Sequence, residues 1–284
     1  MRWQGRRQSD NIEDRRGMRV GRGVIGGGIG TVAIVLLAMY LGVDPSVVMR
    51  GVGTTNVRPT TDEPYAESEQ EALWREQVAV TLKDTEDAWG AVFREMGGPY
   101  REPTLVLFSG GVQSGCGGAE SAMGPFYCPA DGRVYIDLTF FDELERRLGA
   151  GGDFARSYVI AHEVGHHVQN LLGKSRQVHD LQQRVGEVEG NQLSVRLELQ
   201  ADCYAGLWAR RIENAASILE SGDAQEALNA ASAIGDDTLQ RNAGRAVVPD
   251  SFTHGSSQQR MRWFRRGFDT GSVAACDTFA EGDV

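Results

Sequence analysis

The sequence predicts an α+β domain, mostly helical with a small sheet, preceded by one membrane-spanning helix. Three observations carry that prediction. Apolar residues recur at helical spacing through several long stretches, only two short runs read as strands, and Gly23 to Val43 forms 21 residues without a charge. With 284 residues and 41% hydrophobic content, the chain can bury one good core, or a core with a small appendage. A net charge of −10 argues against nucleic acid as a partner, because phosphate contacts need concentrated Lys and Arg.

Residues 1–22 hold seven arginines against Asp10, Glu13 and Asp14, a surplus of four positive charges, and read as a cytoplasmic tail. The run 23–43 is long enough to cross a hydrocarbon core of about 30 Å at about 1.5 Å per residue. Positive charge ahead of it puts the N-terminus inside and the remainder outside the cytoplasmic membrane in a single pass. A cleaved signal peptide is the rival, but no Ala-x-Ala site closes the apolar run. Residues 44–66, polar with Pro, Gly and Thr, read as a linker, which leaves 67–284 as the folded domain.

Within that domain Leu73, Trp74, Val78, Leu82, Trp89 and Phe93 predict a long amphipathic helix from about Ser68 to Glu95, ended by Gly97-Gly98-Pro99. Thr104–Phe108 and Val134–Leu138 are the strand candidates, and either is suited to pair with an extended peptide. The glycine-rich stretch between them, Ser109 to Gly118, lacks Gly-Lys-Ser/Thr and so is a loop, not a phosphate cradle. Phe140–Leu148 reads as helical, and a further helix begins near Asp153, a candidate N-cap. The polar segment 174–190 reads as a lid or loop. Helices follow through Glu198 to about Ile212, over 223–233 and over 256–267.

The chemistry concentrates in Ile160-Ala161-His162-Glu163-Val164-Gly165-His166-His167-Val168-Gln169. Helical positions four apart share a face, so His162 and His166 project together, as two zinc ligands must. Glu163 stands where a metalloprotease keeps the general base that takes a proton from water. His167 points elsewhere. A catalytic zinc needs a third protein ligand and one open position. The variant with a third His is excluded, because Gln169 and Leu172 occupy its Gly and His positions. Glu198 is the better candidate, and Asp202, four residues on, is suited to accept the N–H of a ligating His. A solvated acidic face is the bland alternative, opposed by the apolar neighbours Val195, Leu197, Leu199 and Ala201.

Gly124-Pro-Phe-Tyr-Cys128-Pro, Val134-Tyr-Ile-Asp137, Ala161 to Gln169, Glu198-Leu-Gln-Ala-Asp-Cys203 and His254-Gly-Ser-Ser-Gln-Gln-Arg260 together carry a family resemblance. The chain resembles the bacterial membrane-anchored neutral zinc metallopeptidases, which follow the two-His, one-Glu logic of the gluzincins. That resemblance implies a zincin-like catalytic domain, one Zn2+ per chain and a protein or peptide substrate, without implying which one.

Four cysteines allow three pairings, of which Cys116–Cys128, local to the glycine-rich loop, and Cys203–Cys276, tying the tail to the Glu198 helix, are preferred. Cys203 as a metal ligand is disfavoured, since it is five positions from Glu198 and faces elsewhere. His254 is either an oxyanion-stabilising catalytic group or a loop residue with a structural bond; His179 reads as a surface residue. Two other classes remain open on sequence alone. One is a non-catalytic anchored binding protein with structural or no zinc, which a fourth protein ligand from His254 or His179 would favour. The other is a zinc amidase acting on cell-wall amides.

Overall fold

The computed structural model describes residues 1–18 and 65–280. Ser68 caps the first helix, α1 (Glu69–Glu95), through a reciprocal capping box with Glu71, which satisfies two backbone donors at a helix start. Its apolar stripe, Trp74, Val78, Leu82 and Trp89, packs into the main core. The sheet lies beside it in the order β1 (Ile12–Asp14), β2 (Thr104–Phe108), β6 (Arg133–Asp137), β5 (Phe126–Cys128). The first three strands are parallel and β5 runs antiparallel to β6. Alternation sorts β2 cleanly: Leu105 and Leu107 face the helices, while Val106 and Phe108 face a second apolar cluster. That second cluster lies under the hairpin of β3 (Gly111–Ser114) and β4 (Gly117–Glu120), so the stretch expected to be a plain loop is in fact paired strand.

The short helix α2 (Thr139–Asp142) and a π turn over Glu143–Arg147 lead to α3 (Asp153–Leu171), the helix of the histidines. The segment 174–190, expected as a lid or loop, is largely helical: it forms helix α4 (Lys174–Gln182) and the start of the 30-residue α5 (Glu187–Ala216) that carries Glu198. Then come α6 (Asp223–Ala233), α7 (Asp236–Asn242) and α8 (Ser257–Thr270), the last again opened by a capping box, Ser256 with Gln259. Helix α5 lies between α3 and α8 and packs against both. The α5–α8 crossing is close: a Cβ on Gly267 would lie 1.9 Å from the Cys203 carbonyl oxygen, so only glycine fits. The two disulfides are Cys116–Cys128 and Cys203–Cys276.

The N-terminal residues require a correction. Residues 1–18 are not a detached tail, because they are built into the domain. β1 pairs in register with β2, and Met1 and Trp3 are buried in the core formed by α3, α5 and α6. The Met1 α-ammonium bonds Asp153 at 3.0 Å and Asp223 at 3.1 Å, joining the start of α3 to the start of α6. Arginines counted above as cytoplasmic charge have partners in the fold: Arg6 with Asp84, Arg7 with Asp87, and Arg16 with Asp14 and Glu67. The membrane helix expected over 23–43 and the linker over 44–66 lie outside the described residues, apart from Tyr65 and Ala66. Among the described residues no helix is long and apolar enough to cross a membrane. A single crossing between residues 18 and 65 would also put β1 and β2 on opposite faces of the bilayer, yet they share a ladder. The single-pass arrangement with an extracytoplasmic domain is therefore withdrawn.

Candidate metal centre

Helices α3 and α5 cross with almost no space between them. At the crossing, a Cβ on Gly165 would lie 3.0 Å from the Ala201 carbonyl oxygen and 3.1 Å from its Cα. A helix-interior glycine costs about 1 kcal/mol against alanine; here it lets the helix bearing His162 and His166 approach the one bearing Glu198. Three side chains meet as a result. His162 Nε2 is 3.2 Å from Glu198 Oε2, and His166 Nε2 is 3.4 Å from Glu198 Oε1. One donor atom from each of the three lies within 4.8 Å of the others.

These separations fit zinc. Ligand bonds of about 2.0–2.1 Å in tetrahedral directions put neighbouring donor atoms about 3.3–3.4 Å apart. The donor set, two imidazoles and one carboxylate, is also that of a catalytic site with a free position. Electrostatics keep the carboxylate ionised. Burial alone would raise the Glu198 carboxyl, but His166 and His162 outweigh it and hold it well below the usual range. Burial likewise opposes the charged form of His162, yet Asp202 and Glu198 prevail and push it up to about 10. Metal binding must therefore displace protons from this cluster.

Asp202 is fully buried beneath His162 and accepts four hydrogen bonds. His162 Nδ1 donates at 2.9 Å, the Tyr158 hydroxyl at 2.5 Å, and Arg260 from Nε at 2.8 Å and Nη2 at 3.0 Å. An ionised carboxylate only accepts, so Nδ1 of His162 carries a proton, and Nε2, directed at Glu198, is the atom left for a metal once its own proton is displaced. Burial would raise Asp202; Arg260 and His162 reverse this and keep it below its ordinary value.

A cleft of about 770 Å³ opens over the cluster, lined by His162, Glu163, His166, Glu198, His254 and Arg260 among others. Glu163 is buried except where it meets this cleft, and it makes no hydrogen bond among the described residues. His254 sits on the rim, half exposed, with Nδ1 3.3 Å from Asp236 Oδ1. That partner favours the imidazolium and raises His254 above its usual value despite partial burial. Neither His254 nor His179, whose Nε2 accepts from Gln183 on exposed α4, belongs to the three-residue cluster. His167 is buried against Tyr127 and the Arg101 carbonyl, away from the cluster. Both strands first considered for peptide pairing have neighbours on each side; among the described residues the sheet edge beside the cleft is β5, with Phe126 and Tyr127 in the cleft lining.

Sequence reasoning missed Tyr158, Gln169, Gln200 and Arg260. Tyr158 precedes His162 by four and Gln169 follows His166 by three, so helical spacing alone marks both as neighbours of the histidines. Nothing local marks Arg260, which arrives from α8.

A helical domain in which a His-Glu-x-x-His helix is crossed by a second helix bearing Glu198 presents a candidate metal centre with two histidines and one carboxylate. The chain belongs to the family described as "Putative neutral zinc metallopeptidase", whose model matches residues 1–279. It is 51% identical over 290 residues to "Uncharacterized protein YpfJ" of Escherichia coli K12, covering 99% of each chain. It is 41% identical over 260 residues to "Uncharacterized protein Rv2575" of Mycobacterium tuberculosis, covering 87% of this chain and 86% of the relative. No solved structure matches significantly.

Proposed function

We propose that this chain is a zinc-dependent peptidase in which His162, His166 and Glu198 hold the metal and Glu163 is the general base. The observation that carries the reading is the convergence of those three donor sets within 4.8 Å on the cleft that Glu163 also lines. Zinc, when bound, supplies Lewis acidity and brings the pKa of a water towards about 7. Glu163, on the wall of the same cleft, would take a proton from an attacking water and deliver it to the departing amine of the cleaved peptide bond. Asp202, fixed by Arg260 and Tyr158, holds His162 in the tautomer that presents Nε2 to the metal. The substrate lies extended along the free edge of β5, its backbone continuing the sheet. His254, whose contact with Asp236 favours the imidazolium, lines the same cleft and would stabilise negative charge developing on the carbonyl oxygen of the cleaved bond.

The test is metal content and peptide hydrolysis of the purified full chain. About one zinc per chain is expected, lost or much reduced in Glu198→Gln. Glu163→Gln should keep its zinc while hydrolysis of a quenched-fluorescent peptide library falls by about 10²–10⁴-fold, the usual worth of a positioned base. Undiminished hydrolysis in that variant would remove Glu163 from the mechanism, and zinc retained in Glu198→Gln would move the third ligand elsewhere.

A further inference from the structure

His166 has no carboxylate behind it. Its Nδ1 lies 2.9 Å from Gln169 Oε1, one helical turn along α3. Which way that amide faces is decided by its other end. Gln169 Nε2 donates to the Leu197 carbonyl at 2.7 Å and to Gln200 Oε1 at 3.2 Å, both acceptors, so the oxygen must be the atom turned to His166. Gln200 is fixed in the same manner, because its Nε2 donates to the Cys276 carbonyl at 2.9 Å. Cys276 in turn is bonded through sulfur to Cys203 on α5, and both are buried. The neighbouring Thr278 is strapped to α5 as well, its hydroxyl donating to the Arg196 carbonyl at 2.7 Å.

We infer that Gln169 and Gln200 are positioning residues for the metal centre, relaying the fixed position of the disulfide-held C-terminal segment to His166. This rests on His166 being a zinc ligand. Every donor in the series faces acceptors alone: Gln200 Nε2 the Cys276 carbonyl, Gln169 Nε2 the Leu197 carbonyl and Gln200 Oε1, and His166 Nδ1–H the Gln169 Oε1. The imidazole can then only turn its Nε2 toward Glu198. Neither glutamine is exposed, so water does not compete for these bonds. Cys203–Cys276 thereby has a task beyond cross-linking: it holds the carbonyl at which the relay ends. The residues behind a metal-bound histidine typically set metal affinity by about 10–100-fold.

The experiment measures zinc dissociation constants by chelator competition for the full chain and for Gln169→Leu, Gln200→Leu, Cys203→Ala with Cys276→Ala, and His166→Ala. It adds 15N spectra of selectively labelled histidine in the zinc-loaded protein. Gln169→Leu should weaken zinc by about 10-fold or more and Gln200→Leu by several-fold. The double cysteine variant should weaken it least, because Thr278 still holds the segment. His166 should show a protonated Nδ1 in the unaltered chain, with that signal shifted in Gln169→Leu and the His162 signal unmoved. Gln200→Leu leaves Gln169 and its Leu197 bond in place, so it reads the relay even if Gln169→Leu folds poorly. Zinc affinity and His166 signal unchanged in both glutamine variants, while His166→Ala loses zinc, would overturn the relay and leave the metal centre standing. Zinc affinity unchanged in His166→Ala would instead overturn the metal centre, and the relay with it.

Discussion

The two histidines of α3 are held by opposite chemistry. Behind His162 stand full charges in a dry environment: Asp202 between the imidazole, Tyr158 and the Arg260 guanidinium, all buried. Behind His166 stand neutral amides and peptide carbonyls, from Gln169 and Gln200 to Cys276. A carboxylate raises the basicity of its histidine and draws strength from the low dielectric, but it leaves a bare charge when a partner is lost. A chain of amides fixes direction without that exposure, and each link is worth only about 0.5–1.5 kcal/mol net. The site thus combines one strong, charge-dependent support with one weaker support that ends on the backbone of the C-terminal segment.

The largest effect should come from breaking the charged side. Asp202→Ala strands Arg260 in the core and should cost about 3–5 kcal/mol of folding stability, together with much of the zinc affinity. Urea unfolding and chelator competition measure the two. Replacing both partners, Asp202→Leu with Arg260→Met, should cost less in stability than the sum of the single changes, since no unpaired charge is left. Additive losses would mean that the pair does not act as a unit.

A change that ignores the contrast between the two sides should come next. Gly165→Ala acts where α3 meets the Ala201 backbone, below both histidines. Overpacking costs about 1–3 kcal/mol, and about 1 kcal/mol returns through helix propensity. We expect a small net loss of stability but a clear loss of zinc affinity, because widening the crossing moves Glu198 away from both Nε2 atoms at once. A variant with unaltered zinc affinity would show that the crossing distance does not set the site.

The smallest effect is a shift in a pH profile. His254 owes its raised pKa first to the Asp236 carboxylate. Its folded value lies above the unfolded one, so the imidazolium contact contributes stability below about pH 6.5 and loses it as pH rises through the folded value. Catalysis that uses the imidazolium should fail over the same alkaline interval. Asp236→Asn should therefore move the alkaline limb of kcat/KM to lower pH and leave zinc content alone. An unmoved limb would remove His254 from the chemistry.

The N-terminal region shows where a sequence signal misleads. Arginines before an uncharged run have the composition of a membrane anchor, but Arg6, Arg7 and Arg16 face acids of α1 and its approach, and β1 completes the sheet. Composition records how many charges there are and not which partners lie across the fold.

The sequence by itself determined the helix of the histidines, their shared face, Glu198 and Asp202 as a pair four apart, and the long first helix, and it narrowed the disulfides to three pairings of which the preferred one is found. Each follows from a local rule, helical periodicity, or from a small number of combinations. Tertiary structure alone decided that Arg260 and Tyr158 would clamp Asp202, that two glutamines would connect His166 to Cys276, and that Met1 would end between Asp153 and Asp223. Those contacts join residues far apart in the chain, 58 positions for Arg260 with Asp202 and 222 for Met1 with Asp223. No periodicity within one helix encodes such a meeting. It is set by where helices cross, and that depends on close approaches such as Gly165 against Ala201.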